Sequence, residues 1–222
     1  MHKATVSRYN GFISQEIGSA MQLLDIFINN GKYQVETLVN QDILRRITKY
    51  SLPNYTKKDS LIFNNAEEEE TYNVIKSIFN GIENAYPEID AAYFGSKWKN
   101  FVISDTDADL TGYDPTEREW YKNAIKKPDE ILLTPAYTSI TNEIVVTIAK
   151  AIKDKQGEVI GVVGLDISFS NLITFIESIK IGKTGYCLLV ENTGMILVDP
   201  KHENLIAKQI NTCGIPCYQK IE

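Results

Sequence analysis

Between Tyr113 and Asp166 the chain gathers the groups that a small charged ligand needs. The segment Tyr113-Asp114-Pro115-Thr116-Glu117-Arg118-Glu119-Trp120-Tyr121 sets two tyrosines, a tryptophan and an arginine close together. Tyr137 follows in a loop after Pro135, and Asp166 ends the apolar run Gly161-Val162-Val163-Gly164-Leu165. A planar guanidinium can hold a carboxylate through two parallel hydrogen bonds. An indole N–H and phenol O–H groups add neutral donors. An aspartate closing an apolar strand is costly to bury without a cation. One carboxylate binder and one ammonium binder, separated by aromatic walls, describe a pocket for a zwitterion. The residues alone leave a second arrangement open, in which Arg118 pairs with Asp166 and the aromatics are core.

These groups need elements to aim them. On an ideal helix Arg118 and Trp120 lie about 200° apart, so both cannot face one site from within a helix. A helix beginning near Glu119 frees Arg118 to turn inward from the preceding loop. One beginning at Pro115, capped by Asp114, does not. The first start is the one expected here.

Around this segment, apolar residues recur at helical spacing from about Val6 to Ile47, through Ile13, Ile17, Leu24, Ile28, Val35 and Leu38, with one gap at Gly31. A helix of that length reads as a stalk or spine. A second helix runs through Ile75, Ile78, Phe79 and Ile82, with Glu67 to Glu70 at its positive N-terminal end. Strand-like runs follow at Ala91–Phe94 and Phe101–Ser104. Two more, Glu143–Lys153 and Glu158–Ile167, are joined by the turn Asp154-Lys155-Gln156-Gly157. After a helical stretch at Phe169–Ile179, a further hairpin is expected from Tyr186–Glu191 and Met195–Val198 about Asn192-Thr193-Gly194. The fold class expected is α+β. A long N-terminal helix (1–48) runs beside two PAS-like α/β modules with antiparallel sheets, at 49–180 and, in shorter form, at 181–222.

Composition excludes several functions. The 29 acidic residues exceed the 23 basic ones, for a formal charge of -6, which opposes nucleic-acid binding. The chain has no run of 18 apolar residues and no signal peptide, as expected of a soluble protein or of an ectodomain lying between two membrane spans. Cys187, Cys213 and Cys217 are an odd number, so they cannot all pair within one chain. Both histidines, His2 and His202, lie outside the cluster, and there is no phosphate loop, nucleophile elbow or metal-ligand spacing. No enzyme activity, cofactor or metal is expected.

Five blocks occur in order: Tyr93-Phe94-Gly95; Tyr113 through Arg118, Trp120, Tyr121 and Ala124; Pro135 with Tyr137; Val146-Thr147-Ile148-Ala149; and Gly161 through Ser168. With Gly182-Lys183-Thr184-Gly185-Tyr186 they resemble the double Cache domain of bacterial chemoreceptors and sensor kinases, over most of the chain. The resemblance extends to the amino-acid-binding subset. It implies that Tyr113, Arg118 and Trp120 hold a ligand carboxylate and that Tyr121, Tyr137 and Asp166 lie on the ammonium side. There are departures. Ser139 stands where many relatives carry a second acidic contact to the ammonium, Glu119 where relatives often have proline, and Gly95-Ser96-Lys97-Trp98 replaces a glycine-aspartate-glycine turn. The resemblance further implies an extracytoplasmic sensor, extracellular or periplasmic, of a receptor anchored in the cell membrane by flanking segments. Its partner would be a free L-amino acid and its state in the full receptor a homodimer. The output attached is open: a methyl-accepting domain, a kinase or a cyclase. A solute-binding protein is the rival reading, against which the long helix argues.

Overall fold

The structure is a computed structural model that describes residues 2–56, 63–104, 107–141, 143–181, 185–190, 193–206 and 208–215. It is a mixture of helices and antiparallel sheet that opens on a long helix, as the sequence leads one to expect. The chain divides into two compact units. One holds Asn29–Phe169 and the other the residues before and after it. This division differs from boundaries at 48 and 180: it cuts the first helix and falls at the first residue of the helix that follows the main sheet.

The first helix, α1, covers His2–Val39. It stops eight residues short of the expected Ile47. Arg45 accounts for the stop, donating from Nε to the Val39 carbonyl and from its terminal nitrogen to Asn40 Oδ1. The first of these bonds satisfies a carbonyl group that a helix end leaves unpaired. A short helix α2, Asp42–Arg45, follows, and then α3, Ala66–Ala85. Asn65 caps α3 by accepting from the Glu68 N–H, while Glu68 reaches back to the Asn64 N–H. This reciprocal cap is why the acidic run sits at the helix start.

In the larger unit β1 (Ile89–Ser96), β2 (Phe101–Ile103), β3 (Leu132–Leu133), β4 (Tyr137–Thr138), β5 (Ile144–Lys153) and β6 (Val159–Ser168) form one antiparallel sheet. Its order is β2-β1-β6-β5-β3, with β4 also on β5. Between β2 and β3 lies α4, Glu119–Lys126. Side chains alternate between faces of a strand. Ala91, Tyr93, Phe101, Ile103, Ala149, Ala151 and Val162 therefore share one face, and they pack with Tyr113, Trp120, Tyr121 and Ala124 around α4. Phe94, Ile148, Leu165 and Ile167 face the other way and are fully buried. There Gly31 of α1 meets the sheet so closely that a Cβ on it would collide with Ile148. The one gap in the apolar pattern of α1 is thus its point of closest approach.

The smaller unit contains α5 (Phe169–Ser178) and two antiparallel ribbons. One pairs β7 (Lys180–Ile181) with β8 (Gly185–Tyr186), the other β9 (Leu189–Val190) with β10 (Ile196–Val198). The hairpins after Glu143 and near 186–198 lie in different sheets, as expected. Tyr186 itself pairs with Lys180 and not with the later strand. Asn192 and Cys217 lie outside the described residues. Cys187 and Cys213 are free thiols. Among the described residues no helix is long and apolar enough to cross a membrane.

Candidate functional site

A cavity of about 420 Å³ opens on the α4 face of the large sheet. Five of the six residues singled out from the sequence line it: Tyr113, Arg118, Trp120, Tyr137 and Asp166.

The Arg118 side is built from local chain geometry. Pro115–Glu117 forms a single 3-10 turn, and α4 starts afresh at Glu119. Arg118 between them is extended, with φ -82° and ψ 145°. The helix start expected from the conflict between Arg118 and Trp120 is the one the chain adopts. Asp114 caps the 3-10 turn, accepting from the Thr116 N–H and hydroxyl. It also holds Lys99 at 2.7 Å, tying the turn to the β1–β2 hairpin. Gly95 allows the approach from that hairpin, since a Cβ there would press on Pro115 and Trp120. The Arg118 guanidinium then lies over the Tyr113 ring, 4.5 Å from its centroid. Among the described residues it makes no ion pair. Burial pushes the Tyr113 hydroxyl up to about 12, against the opposing pull of the Arg118 charge and hydrogen bonding to Trp120.

Aromatic rings make the walls. Tyr113 packs on Phe101 at 4.5 Å, Tyr93 on Trp120 at 4.9 Å and Tyr93 on Phe101 at 5.8 Å between centroids. Gly164 on the neighbouring strand makes room for Tyr93, whose ring occupies the place of the missing Cβ.

At the Asp166 side the carboxylate is 3% exposed. Three hydroxyls converge on one of its oxygens, Oδ1. Tyr93 and Thr147 donate at 2.5 Å each and Tyr137 at 3.4 Å. Thr147 stands directly across from Asp166 in the β5–β6 register. These donors favour the charged form, yet burial outweighs them and lifts the carboxyl to about 7, with the Asp90 charge adding to the rise. Burial also raises the hydroxyls of Tyr93 and Tyr137 well above the usual phenol range. Asp166 and Arg118 are not paired with each other, so the arrangement in which they neutralise one another is not the one formed.

Tyr121 does not line the cavity. One helical step past Trp120, it turns about 100° away and lies edge-on to Trp120, outside the cavity lining. Its buried hydroxyl, pushed up to about 12, feels Asp114. Tyr137 is in strand β4, paired with Val145, not in a loop. Tyr93 and Thr147, the two shortest donors to Asp166, were not singled out. A hydroxyl amid the apolar run of β5 was the available signal for Thr147. The remaining wall comes from Phe101, Ile103 and the stretch 134–140; Ile75 and Phe79 of α3 do not reach it.

Donors, acceptors and rings so placed can hold a small polar ligand. Among the described residues no cluster of three metal-ligating side chains occurs. The dCache_1 family model, described as Cache domain, matches residues 8–219. The chain belongs to this Cache family. Of curated relatives, methyl-accepting chemotaxis protein McpB of Bacillus subtilis is 27% identical over 87% of this chain and 27% of its own length. This chain thus spans about a quarter of that relative, and less of others. The ligand-binding domain of the Pseudomonas aeruginosa PAO1 amino acid chemoreceptor PctC, solved in complex with GABA, matches with a TM-score of 0.64. That match has 21% identity and covers 92% of this chain and 79% of that one. The ligand-binding domain of Campylobacter jejuni chemoreceptor Tlp3, solved with 4-methylisoleucine, matches at 0.64 and 19% identity, covering 89% and 73%. At these identities the two structures establish a shared fold.

Proposed function

We propose that this Cache domain is the extracytoplasmic sensor of a chemotaxis receptor and that its cavity takes a free L-amino acid. The observation that carries the reading is the separation of Arg118 from Asp166. One cation without an ion pair and one buried carboxylate without a cation line a single cavity with aromatic rings between them. Arg118, Tyr113 and Trp120 meet the ligand carboxylate, and Asp166 with Tyr137 meets the ammonium. The relatives named above are chemotaxis proteins or chemoreceptor domains, and two were solved with GABA or 4-methylisoleucine bound, which supports the same reading. In the full receptor the domain lies outside the cell membrane, held by flanking segments and paired with a second copy.

A melting screen against the twenty standard L-amino acids tests this. At about a hundred times the dissociation constant, a ligand stabilises the fold by roughly 2.7 kcal/mol. Decarboxylated and N-acetylated forms of the best ligand are expected to give no shift. A screen in which no amino acid raises the melting temperature refutes the reading.

A further inference from the structure

The wall of the cavity near Asp166 contains a chain of hydroxyls that leads away to a second carboxylate. Ser139 lines the cavity and is 7% exposed. Its Oγ lies 2.6 Å from Thr141 Oγ1, and Thr141 Oγ1 donates to Asp90 Oδ2 at 3.0 Å. Asp90 belongs to β1, at the irregularity between the Ile89–Ile167 and Ala91–Asp166 pairs. It therefore stands beside Asp166 on the adjacent strand. Its charge is felt there: after burial itself, Asp90 contributes to holding the Asp166 carboxyl high.

The direction of the protons along this chain follows from valence. A hydroxyl has one hydrogen and two lone pairs. Thr141 gives its hydrogen to Asp90, so the bond between the two hydroxyls must be donated by Ser139. The Thr141 backbone N–H donates to Ser139 Oγ at 3.2 Å, which occupies one lone pair. What Ser139 has left is a single lone pair and no hydrogen. Were Asp90 absent, Thr141 would be free to donate to Ser139, whose own hydrogen would turn elsewhere.

We propose that Asp90, acting through Thr141, fixes Ser139 Oγ as a hydrogen-bond acceptor for the ligand's amino group. Asp90 is thus a positioning residue that touches no ligand. The assignment rests on the amino-acid reading of the cavity and adds a second acceptor to its cationic end. The Tyr93, Thr147 and Tyr137 hydroxyls all donate to Asp166 Oδ1, which leaves Oδ2 for one ammonium N–H; Ser139 takes another. The same polarity tells against a ligand that presents only an acceptor here, such as a 2-oxo acid.

Calorimetric titration of the whole domain tests the relay. The probe is whichever of the twenty standard L-amino acids binds the parent most tightly. Ser139→Ala and Thr141→Val are each expected to weaken it about three- to tenfold, the range of one neutral hydrogen bond. The double variant is expected to bind no more weakly than either single one, because both break the same relay. Thr141→Ser keeps the hydroxyl and is expected to restore parent affinity. A merely structural threonine would give additive losses with no rescue by serine. Parent-like affinity in Thr141→Val, or additive losses in the double variant, overturns the relay while leaving the amino-acid site standing. A parent that binds none of the twenty overturns both.

Discussion

Asp166→Asn separates what the buried carboxylate does for the fold from what it does for the ligand. In the folded protein this carboxyl sits at about 7, against 3.8 for an ordinary aspartate. The native state therefore binds the proton more tightly than the unfolded chain. Between about pH 4 and 7 the native state carries more protons, so stability falls as pH rises through that window. Each unit corresponds to about 1.4 kcal/mol, which brings the total to the order of 4 kcal/mol by pH 8. Asparagine keeps the shape and keeps Oδ1 as acceptor for Tyr93 and Thr147, but carries no charge to desolvate. Denaturant unfolding of parent and variant from pH 4 to 8 is expected to give curves that diverge as pH rises and run parallel above about 7, with the variant the more stable. Titratable groups common to both cancel in the difference. The same variant has no anion for an ammonium, and loss of one partner of a buried charge pair costs roughly 2–5 kcal/mol, or a factor of about thirty upward in affinity. A stabilised domain that no longer binds is the expected outcome. Stability curves that stay parallel from pH 4 to 8, or undiminished affinity, refute the reasoning.

Arg118→Ala is expected to weaken amino-acid binding by at least about thirtyfold. Its unfolding free energy should stay within about 0.5 kcal/mol of the parent, because Arg118 is an exposed residue whose guanidinium packs on the Tyr113 ring. A folding defect without a selective loss of affinity would count against it. Trp120→Phe keeps the wall and removes the indole donor, for a loss of about 0.5–1.5 kcal/mol in binding by titration; parent affinity would mean that the donor is unused. Because an ammonium favours the ionised form of Asp166, affinity is expected to fall up to about tenfold per unit as pH drops below about 7. Calorimetry at pH 6 in buffers of different ionisation enthalpy should register release of up to one proton, and zero release refutes this.

The site was legible where one local rule decided it. Two groups on opposite sides of a helix cannot share a pocket, and that alone put the start of α4 at Glu119 and Arg118 outside it. The same periodicity, taken one step further, turns Tyr121 about 100° from Trp120, and it does not line the cavity. The partners of Asp166 were not legible because they depend on strand register. Near the turn, Lys153 pairs with Val159, and a shift between Ile152 and Lys153 then moves the register by one. Without that shift Asp166 would face Val146, an apolar neighbour, and not Thr147. A one-residue slip changes every cross-strand neighbour, and nothing local in the sequence reports a bulge of this kind. Boundaries failed for a similar reason. The helical pattern through Leu44 and Ile47 persists in the sequence, but Arg45 folds back on the end of α1 and stops it.

On the proposed reading, Arg118 and Asp166 each await a counter-charge that one ligand can supply to both. Asp166 is buried with three donors on one oxygen and a second carboxylate, Asp90, nearby. Arg118 is held by the Asp114 cap and the break before Glu119 in a place where, among the described residues, it forms no ion pair. A ligand with a carboxylate alone would satisfy Arg118 and bury Asp166 further. An amine alone would satisfy Asp166 and displace water from Arg118 without replacing it. A zwitterion relieves both ends at once. The two gains are obtained together only if the spacing of its charges matches the spacing the sheet imposes. On the proposed amino-acid reading, selectivity comes from the distance at which the fold keeps Arg118 and Asp166 apart, and loss of the Tyr113 ring under Arg118 is expected to erode it.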